Sequence, residues 1–471
     1  MLADQLYHAV HGADFHDVLV RDGPYQIRKK LVDGSQCAVR LIHRFQCVIG
    51  KGQIVFFQIA ESKALFLGQW TEPIAVAFAA AKAREVLGCM PEAMVARCSG
   101  NIIKNVKSVI VPNSGNERGV EAAAVLGAVA GQADLGLQVI SQVTPEQIAR
   151  TKELLAQKIC RCELEEGEGN LYILITVTAG DESAAVEVRT KHDHISRIVR
   201  NGEVLFEQPD LQVEISGDKS QLNLKDILEF ANTVDLEDVR ELLETQISYN
   251  TAIAEEGLNN FWGASVGRTI LDAESGSTLQ RARAAAAAGS DARMNGCALP
   301  VVINSGSGNQ GITCCMPIVV YARDLGCSHE QLLRALTLSN LISIHQKRFI
   351  GNLSAYCGAV SAGTAAACGI AYLQGADYDV IGATIVNAVG TTGGIICDGA
   401  KSSCASKISA SVEAGVLGYE MARRGRKFQF GEGIVSGDYE QTIRNIGCVG
   451  RDGMRDTDVT ILNLMIQDTA K

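Results

Sequence analysis

Cys357, Cys397 and Cys404 are the residues of this chain whose type and setting most directly allow chemistry. They stand in nearly uncharged, Ala/Gly-rich surroundings, LSAYCGAVSAGTAAACG and GGIICDGAKSSCA. Three thiolates in an apolar pocket can hold an iron–sulfur cluster and leave one iron open as a Lewis acid for a small molecule. Spacing alone supports this weakly. Cys397 lies 40 residues after Cys357 and Cys404 a further seven on, and neither pair is a CxxC. The competing reading is buried cysteines serving as small hydrophobes. Cys314, Cys315 and Cys368 are read that way.

A second constellation is the loop Asn304-Ser-Gly-Ser-Gly-Asn-Gln-Gly311. Its glycines permit close backbone approach, and a helix is predicted to follow, so its amides could hold a carboxylate or phosphate. Asn304, Ser305, Gly306, Ser307 and Asn309 are the substrate-binding candidates; a purely structural turn fits the same residues. The loop resembles the phosphate-binding Ser-Gly-Asn loop of pyridoxal-phosphate dehydratases, which need an upstream Schiff-base lysine. No lysine lies between Lys225 and Lys347. That gap argues against pyridoxal chemistry and leaves Lys401 as a substrate or structural cation. His192 and His194, in KHDH, have no cysteine or further histidine beside them in sequence and read as a solvated strand or turn.

The elements that must position these residues are mainly helical. A helix is predicted from Thr71, with Glu72 at its positive end, Pro73 in its first turn and Gly88 to close it. NVKSVIVPN, at 105–113, reads as a strand. Thr144 to Gln147 and Ser328 to Gln331 are capping boxes. LYILITVTA, SAAVEVRT, HISRIVRN and LQVEIS are short β-type runs between turn residues, a small antiparallel region inserted in a helical protein. From 222 onward the pattern is helical, with stops expected at Gly257, Gly289, Gly326 and Gly375. The fold class is therefore α+β. Its expected parts are a divergent leader at 1–70, a helix and strand part at 71–158, the β region at 159–216 and a helical cluster-binding part at 217–471.

Composition removes several function classes. The chain has 471 residues, 47% hydrophobic and 20% charged, with a formal net charge of −10 and no basic run. Nucleic acid and anionic membranes are poor partners for such a surface. Aromatics at 5% leave no base-stacking theme. MLADQLYHAV lacks a cationic segment followed by an apolar run. Fifteen cysteines without a secreted framework suit reduced thiols and a cytoplasmic setting. Two uncharged stretches, 349–376 and 380–397, are long enough to span a bilayer. They are rich in Ala, Gly, Ser and Thr, which favours close-packed core helices over insertion.

Several segments together resemble one family. TEPIAVAFAAAKAREVLG, SGNIIKNVKSVIVPN, IAEEGL, SDARMNGCALPVVINSGSGNQGIT, LSAYCG, GGIICDGAKSSCA and GMRDTD, in collinear order from about 71 to 470, resemble the L-cysteine desulfidases and their relatives. These are similar in turn to the alpha chain of iron–sulfur L-serine dehydratases. The resemblance implies a [4Fe–4S] cluster on Cys357, Cys397 and Cys404. It implies β-elimination from a small amino acid: L-cysteine to sulfide, ammonia and pyruvate, or L-serine to ammonia and pyruvate. It implies a small amino-acid substrate as the partner, with no nucleic acid and no membrane. Oligomeric state stays open, a homo-oligomer included.

The chain departs from that pattern at one point. In desulfidases the residue before Thr-Glu-Pro is a cysteine assigned as proton acceptor; here it is Trp70. A cysteine there would stand at a helix N-terminus, which favours thiolate. Indole offers only an N–H donor. Composition also changes at this point. Residues 1–69 hold His8, His11, His16 and His43 and only six alanines, whereas six alanines fall within 75–83. Two accounts stand: a divergent member that has lost or replaced its base, or a leader at 1–70 that is a gene-model artefact. The second is slightly favoured because both breaks coincide. Glu72 is near the right position, but its preference for a helix N-terminus explains it structurally.

Overall fold

The computed structural model describes residues 71–169, 171–209, 219–273, 276–297, 299–351 and 354–467, and the backbone of four earlier strands. These are β1 (Val18–Asp22), β2 (Tyr25–Lys29), β3 (Arg44–Ile49) and β4 (Gln53–Gln58), an antiparallel sheet in chain order. Trp70 lies outside the described residues, as does the expected strand LQVEIS.

The helix expected at Thr71 forms as α1 (Thr71–Leu87), with Glu72 in its first turn. Gly88 follows with φ +86°. Its alanine-rich length is buried against the second sheet and α3 (Gly119–Ala130). The sheet's strands are β5 (Ala93–Cys98), β6 (Cys160–Leu164), β7 (Tyr172–Ala179), β8 (Glu182–Arg189), β9 (Ile195–Arg200) and β10 (Glu203–Glu207). Their order is β10-β9-β8-β7-β5-β6. The β6-to-β10 run is thus not closed on itself, because β5 inserts between β7 and β6. The β5–β6 pair is parallel and the others antiparallel, so the sheet is mixed. A parallel pair needs a long crossover, here supplied by α3 and α4 (Pro145–Ala156).

The strand expected at 105–113 is absent. Gly100–Val106 forms the short helix α2, and Ile110 makes only an isolated bridge to Arg118. Ile102, Ile103 and Val106 fall at helical spacing and are buried, which outweighs the β-branched run that follows.

The helical body comprises α5 (Leu224–Thr233), α6 (Leu236–Asn259), α7 (Val266–Ala273), α8 (Thr278–Met294), α9 (Gly308–Leu325), α10 (His329–Ile350), α11 (Gly358–Leu373), α12 (Tyr378–Thr392), α13 (Cys404–Ala422), α14 (Tyr439–Cys448) and α15 (Arg455–Gln467). Both capping boxes are present, at Thr144 and Ser328. Gly326 and Gly375 end helices with φ of +65° and +78°. Gly257 and Gly289 do not; they sit inside α6 and α8. A Cβ on Gly257 would stand 2.0 Å from the carbonyl oxygen of Ala288. This glycine serves helix approach, not termination.

The two uncharged stretches contain α11 and α12, buried in the main core. Among the described residues no helix is long and apolar enough to cross a membrane. Cys314, Cys315 and Cys368 are fully buried core residues.

Candidate functional site

Cys357 is the N-cap of α11 and Cys404 the first residue of α13, so two of the three thiols stand at helix N-termini. Cys397 comes from the loop after α12. A short antiparallel bridge between Tyr356 and Ile396 joins the two loops. The Cys357 N–H donates to the Ile395 carbonyl at 3.0 Å and the Cys397 N–H to the Ala355 carbonyl at 2.5 Å. These bonds bring Cys357 and Cys397 side by side, and their thiols share a hydrogen bond. Cys404 lies in electrostatic range of both. Its N–H donates to the Lys401 carbonyl at 2.9 Å and its Sγ contacts the Gly399 carbonyl at 3.8 Å.

The three sulfurs differ in character. The hydrogen bond from Cys357 pulls the Cys397 thiol down to about 5, helped by Lys104, the Gly399 N–H and Lys347. The same bond, with burial, pushes Cys357 well above the ordinary thiol range. Burial raises Cys404.

Cations surround this pair. Lys104, from α2, is 3% exposed and pairs with Asp458 of α15. Lys347, from α10, is buried beside Cys357 and Cys397, and burial lowers its pKa. Asp398 accepts from Lys401 at 2.6 Å and from Lys407. Lys401 also donates to the Asp398 carbonyl at 2.8 Å, so it braces the cysteine loop instead of facing a ligand.

The 304–311 loop adjoins the same place. Asn304 and Ser307 exchange backbone hydrogen bonds at 3.1 and 3.0 Å around Ser305 and Gly306, whose φ values are +50° and +79°. The Asn304 amide donates to Asn340, at 2.9 Å to its side-chain oxygen, and Ser305 donates to Asn304. Ser307 caps α9 by accepting from the Gln310 N–H. Asn304, Ser305 and Ser307 thus build the turn, while Asn309 and Gln310 present side chains from the first turn of α9. Arg293 Nη1 donates to Asn309 Oδ1 at 3.4 Å. A Cβ on Gly358 would meet Gln310 Cδ at 2.6 Å, which sets Gln310 beside the residue after Cys357. Gln310 Oε1 is buried without a hydrogen-bond partner.

Arg293, at the end of α8, joins the parts. It is buried, in electrostatic contact with Glu72 and Cys404, and burial lowers it to about 10. Motif reading missed Arg293, Gln310, Lys104 and Lys347. The one available signal was an arginine following the alanine run 284–288 on a largely buried helix. His192 and His194 do not share an environment. His194 is buried and its Nδ1 pairs with Gln208 Nε2 at 3.2 Å, whereas His192 is in electrostatic contact with Glu72.

The donor set suits iron–sulfur ligation: three thiols set among cations that would offset an anionic cluster. Among the described residues no three His, Cys, Asp or Glu converge closely enough to hold a single metal ion. A cube carries its thiolates on separate corners and does not require that convergence.

The chain belongs to the serine dehydratase alpha chain family, whose pattern it matches over residues 134–463, most of its length. Among its relatives, a "UPF0597 protein" of Finegoldia magna is 47% identical over 419 residues, 88% of this chain and 99% of the relative. A protein of the same designation from Lachnoclostridium phytofermentans is 47% identical over 397 residues, 84% of this chain and 95% of the relative. One from Treponema denticola is 43% identical over 406 residues, 84% of this chain and 94% of the relative. The family name indicates lyase-type chemistry; the relatives' designation names no substrate.

Proposed function

We propose that this protein is an iron–sulfur lyase that eliminates sulfide from L-cysteine, giving ammonia and pyruvate. The observation that carries the reading is the backbone bridge that sets Cys357 beside Cys397, with Gln310 against Gly358 and Arg293 bonded to Asn309, from helices far apart in sequence. Cys357, Cys397 and Cys404 would hold a [4Fe–4S] cluster, which when bound supplies a Lewis-acidic iron that improves the leaving group.

The remaining residues suit a small zwitterion. Arg293 and Asn309 would take the α-carboxylate, with the amides at the start of α9 adding positive dipole. Gln310 Oε1, a buried acceptor without a partner, would accept from the α-ammonium. Burial by α8, α9 and α11 excludes water from the elimination. The enamine released tautomerises and hydrolyses without help from the protein.

L-Serine is the second reading, favoured by the name of the matched family. Anaerobic reconstitution with iron and sulfide, metal analysis, and incubation with each amino acid separate the two. Sulfide and pyruvate from L-cysteine support the first reading; pyruvate from L-serine alone supports the second. A metal-free, fully active protein overturns both. Unchanged substrate affinity in Asn309→Ala would remove the 304–311 loop from substrate binding.

A further inference from the structure

The turn that leads into α9 holds a conformation its own residues disfavour. Ser305 has φ +50°, a left-handed backbone for a residue with a Cβ, and such a residue persists where its surroundings over-determine it. Here both sides of the turn are tied to side-chain amides of other helices. Asn250, from α6, grips Val302 at two points. Its Oδ1 accepts from the Val302 N–H at 3.0 Å and its Nδ2 donates to the Val302 carbonyl at 3.4 Å. Asn304 Nδ2 donates to Asn340 of α10, at 2.9 Å to its Oδ1 and 3.2 Å to its carbonyl. Gln246 Nε2, from α6, reaches the Gly311 carbonyl at the start of α9, at 3.5 Å.

Asn340 is the hub of these bonds. Its Oδ1 accepts from Asn304 and, at 3.1 Å, from Gln246 Nε2; its Nδ2 donates to Gln246 Oε1 and to the Leu336 carbonyl, both at 2.9 Å. A primary amide has two acceptor and two donor positions, and all four are filled, which fixes the way it points. Asn340, Gln246, Asn250 and Asn304 are all buried. Apolar side chains of the same shape can be nearly neutral for stability in such a place. What a fully bonded polar network adds is one unique arrangement. The part so arranged is the start of α9. A Cβ on Gly311 would stand 1.9 Å from the Val302 carbonyl oxygen, so the loop lies directly on the first turn of the helix. Asn309 and Gln310 are the two residues before Gly311.

We propose that Asn340 is a positioning residue for substrate recognition; this rests on the lyase reading above. Through Asn304 and Gln246 it fixes the first turn of α9, so that Asn309 and Gln310 meet the carboxylate and the ammonium of the amino acid. Asn340 acts only through those side chains. Binding of the two charged groups is common to the ground state and the transition state. Loss of the arrangement therefore raises KM and spares kcat.

The experiment compares reconstituted wild type, Asn340→Ala, Gln246→Ala, Asn309→Ala and the double variant Asn340→Ala/Asn309→Ala, with Asn387→Ala as control. Asn387 of α12 is an equally buried amide, but it donates to the Gly418 and Arg426 carbonyls at 3.0 and 3.1 Å and accepts from the Phe428 N–H at 3.0 Å. Iron per chain, urea midpoint, and kcat and KM for L-cysteine and L-serine are measured. The expected result is a KM raised about 10- to 100-fold in Asn340→Ala and Gln246→Ala, with iron content and kcat retained. Asn387→Ala should lower the urea midpoint and keep the wild-type KM. Asn340→Ala should add little to KM once Asn309 is alanine, because the two changes act on one interaction. A wild-type KM in an iron-loaded Asn340→Ala or Gln246→Ala overturns this inference and leaves the lyase reading intact. So do KM effects of Asn340→Ala and Asn309→Ala that simply multiply. Loss of fold or iron in both amide variants overturns it as well, since the network would then serve stability. A fully loaded wild type that converts neither amino acid overturns the lyase reading itself, and this inference with it.

Discussion

Gly399 lies directly against the main chain of Lys104: a Cβ built on it would stand 2.3 Å from the Lys104 carbonyl oxygen. Its φ is +88°, a region that costs an L-residue roughly 1–2 kcal/mol before any clash. This contact sets α2 against the loop between Cys397 and Cys404, and so sets the Lys104 cation beside the Cys357–Cys397 pair. Gly399→Ala must displace one backbone from the other. The expected outcome is a protein with its helix content retained and its iron per chain reduced after reconstitution. Wild-type iron content in a soluble Gly399→Ala would show that this contact does not hold the site.

The Lys104–Asp458 pair ties the last helix to the same place. Lys104 is 3% exposed and Asp458 29%. Asp458→Asn leaves an ammonium in a buried position without its counter-charge. A fully buried broken pair costs about 3–5 kcal/mol, and the partial exposure of Asp458 brings the expected loss to about 2–3. A lower urea midpoint in Asp458→Asn, largely recovered in Asp458→Glu, is the expected result; equal midpoints in all three proteins would count against it.

Close helix contact predicts a second stability effect. Gly257 of α6 meets the backbone of α8, where a Cβ would be 2.0 Å from the Ala288 carbonyl oxygen and 2.5 Å from its carbon. Backbone cannot rotate away as a side chain can, so Gly257→Ala should overpack the interface by about 1–3 kcal/mol. Gly394→Ala, where the added atom meets nothing within 4 Å, serves as control. Thermal unfolding should place the Gly257 variant below wild type and the Gly394 variant level with it.

These relationships explain what the sequence could and could not reveal. Both capping boxes were legible because capping is local chemistry read over four residues. The strand expected at 105–113 failed because β-branched residues are also buried in helices and loops: Val106 ends α2, and Val109 and Val111 are buried in the loop that follows. Gly257 and Gly289 were misread as stops because a glycine chosen for helix approach looks the same in sequence as one chosen for positive φ. Cys357, Cys397 and Cys404 became a set only through resemblance, since 40 residues and two helices separate the first two. Arg293 left only the weak signal of an arginine after an alanine run, and Gln310 lay in the 304–311 loop without a role of its own. They reach the site from different elements, and only the packing of α8 and α9 brings them near one another.

Asp291 gives the clearest dependence on pH away from the cysteines. Its Oδ2 accepts from the Gly267 N–H at 2.9 Å at the start of α7, and its other oxygen has no partner. Burial pushes its pKa from 3.8 to about 7 against the bonds from the Gly267 and Val266 amides. The folded state then holds a proton that the unfolded state has released across this window. Stability is fully present below about 4, falls as pH rises towards about 7, and is flat above. The shift, 7 − 3.8, bounds the loss at about 4 kcal/mol at 1.36 kcal/mol per unit. Asp291→Asn keeps an acceptor for the Gly267 amide and cannot ionise. The ratio of urea midpoints at pH 8 and pH 5 should therefore be higher in the variant than in wild type. Parallel profiles for the two proteins would mean that Asp291 ionises in the folded state as readily as in the unfolded chain.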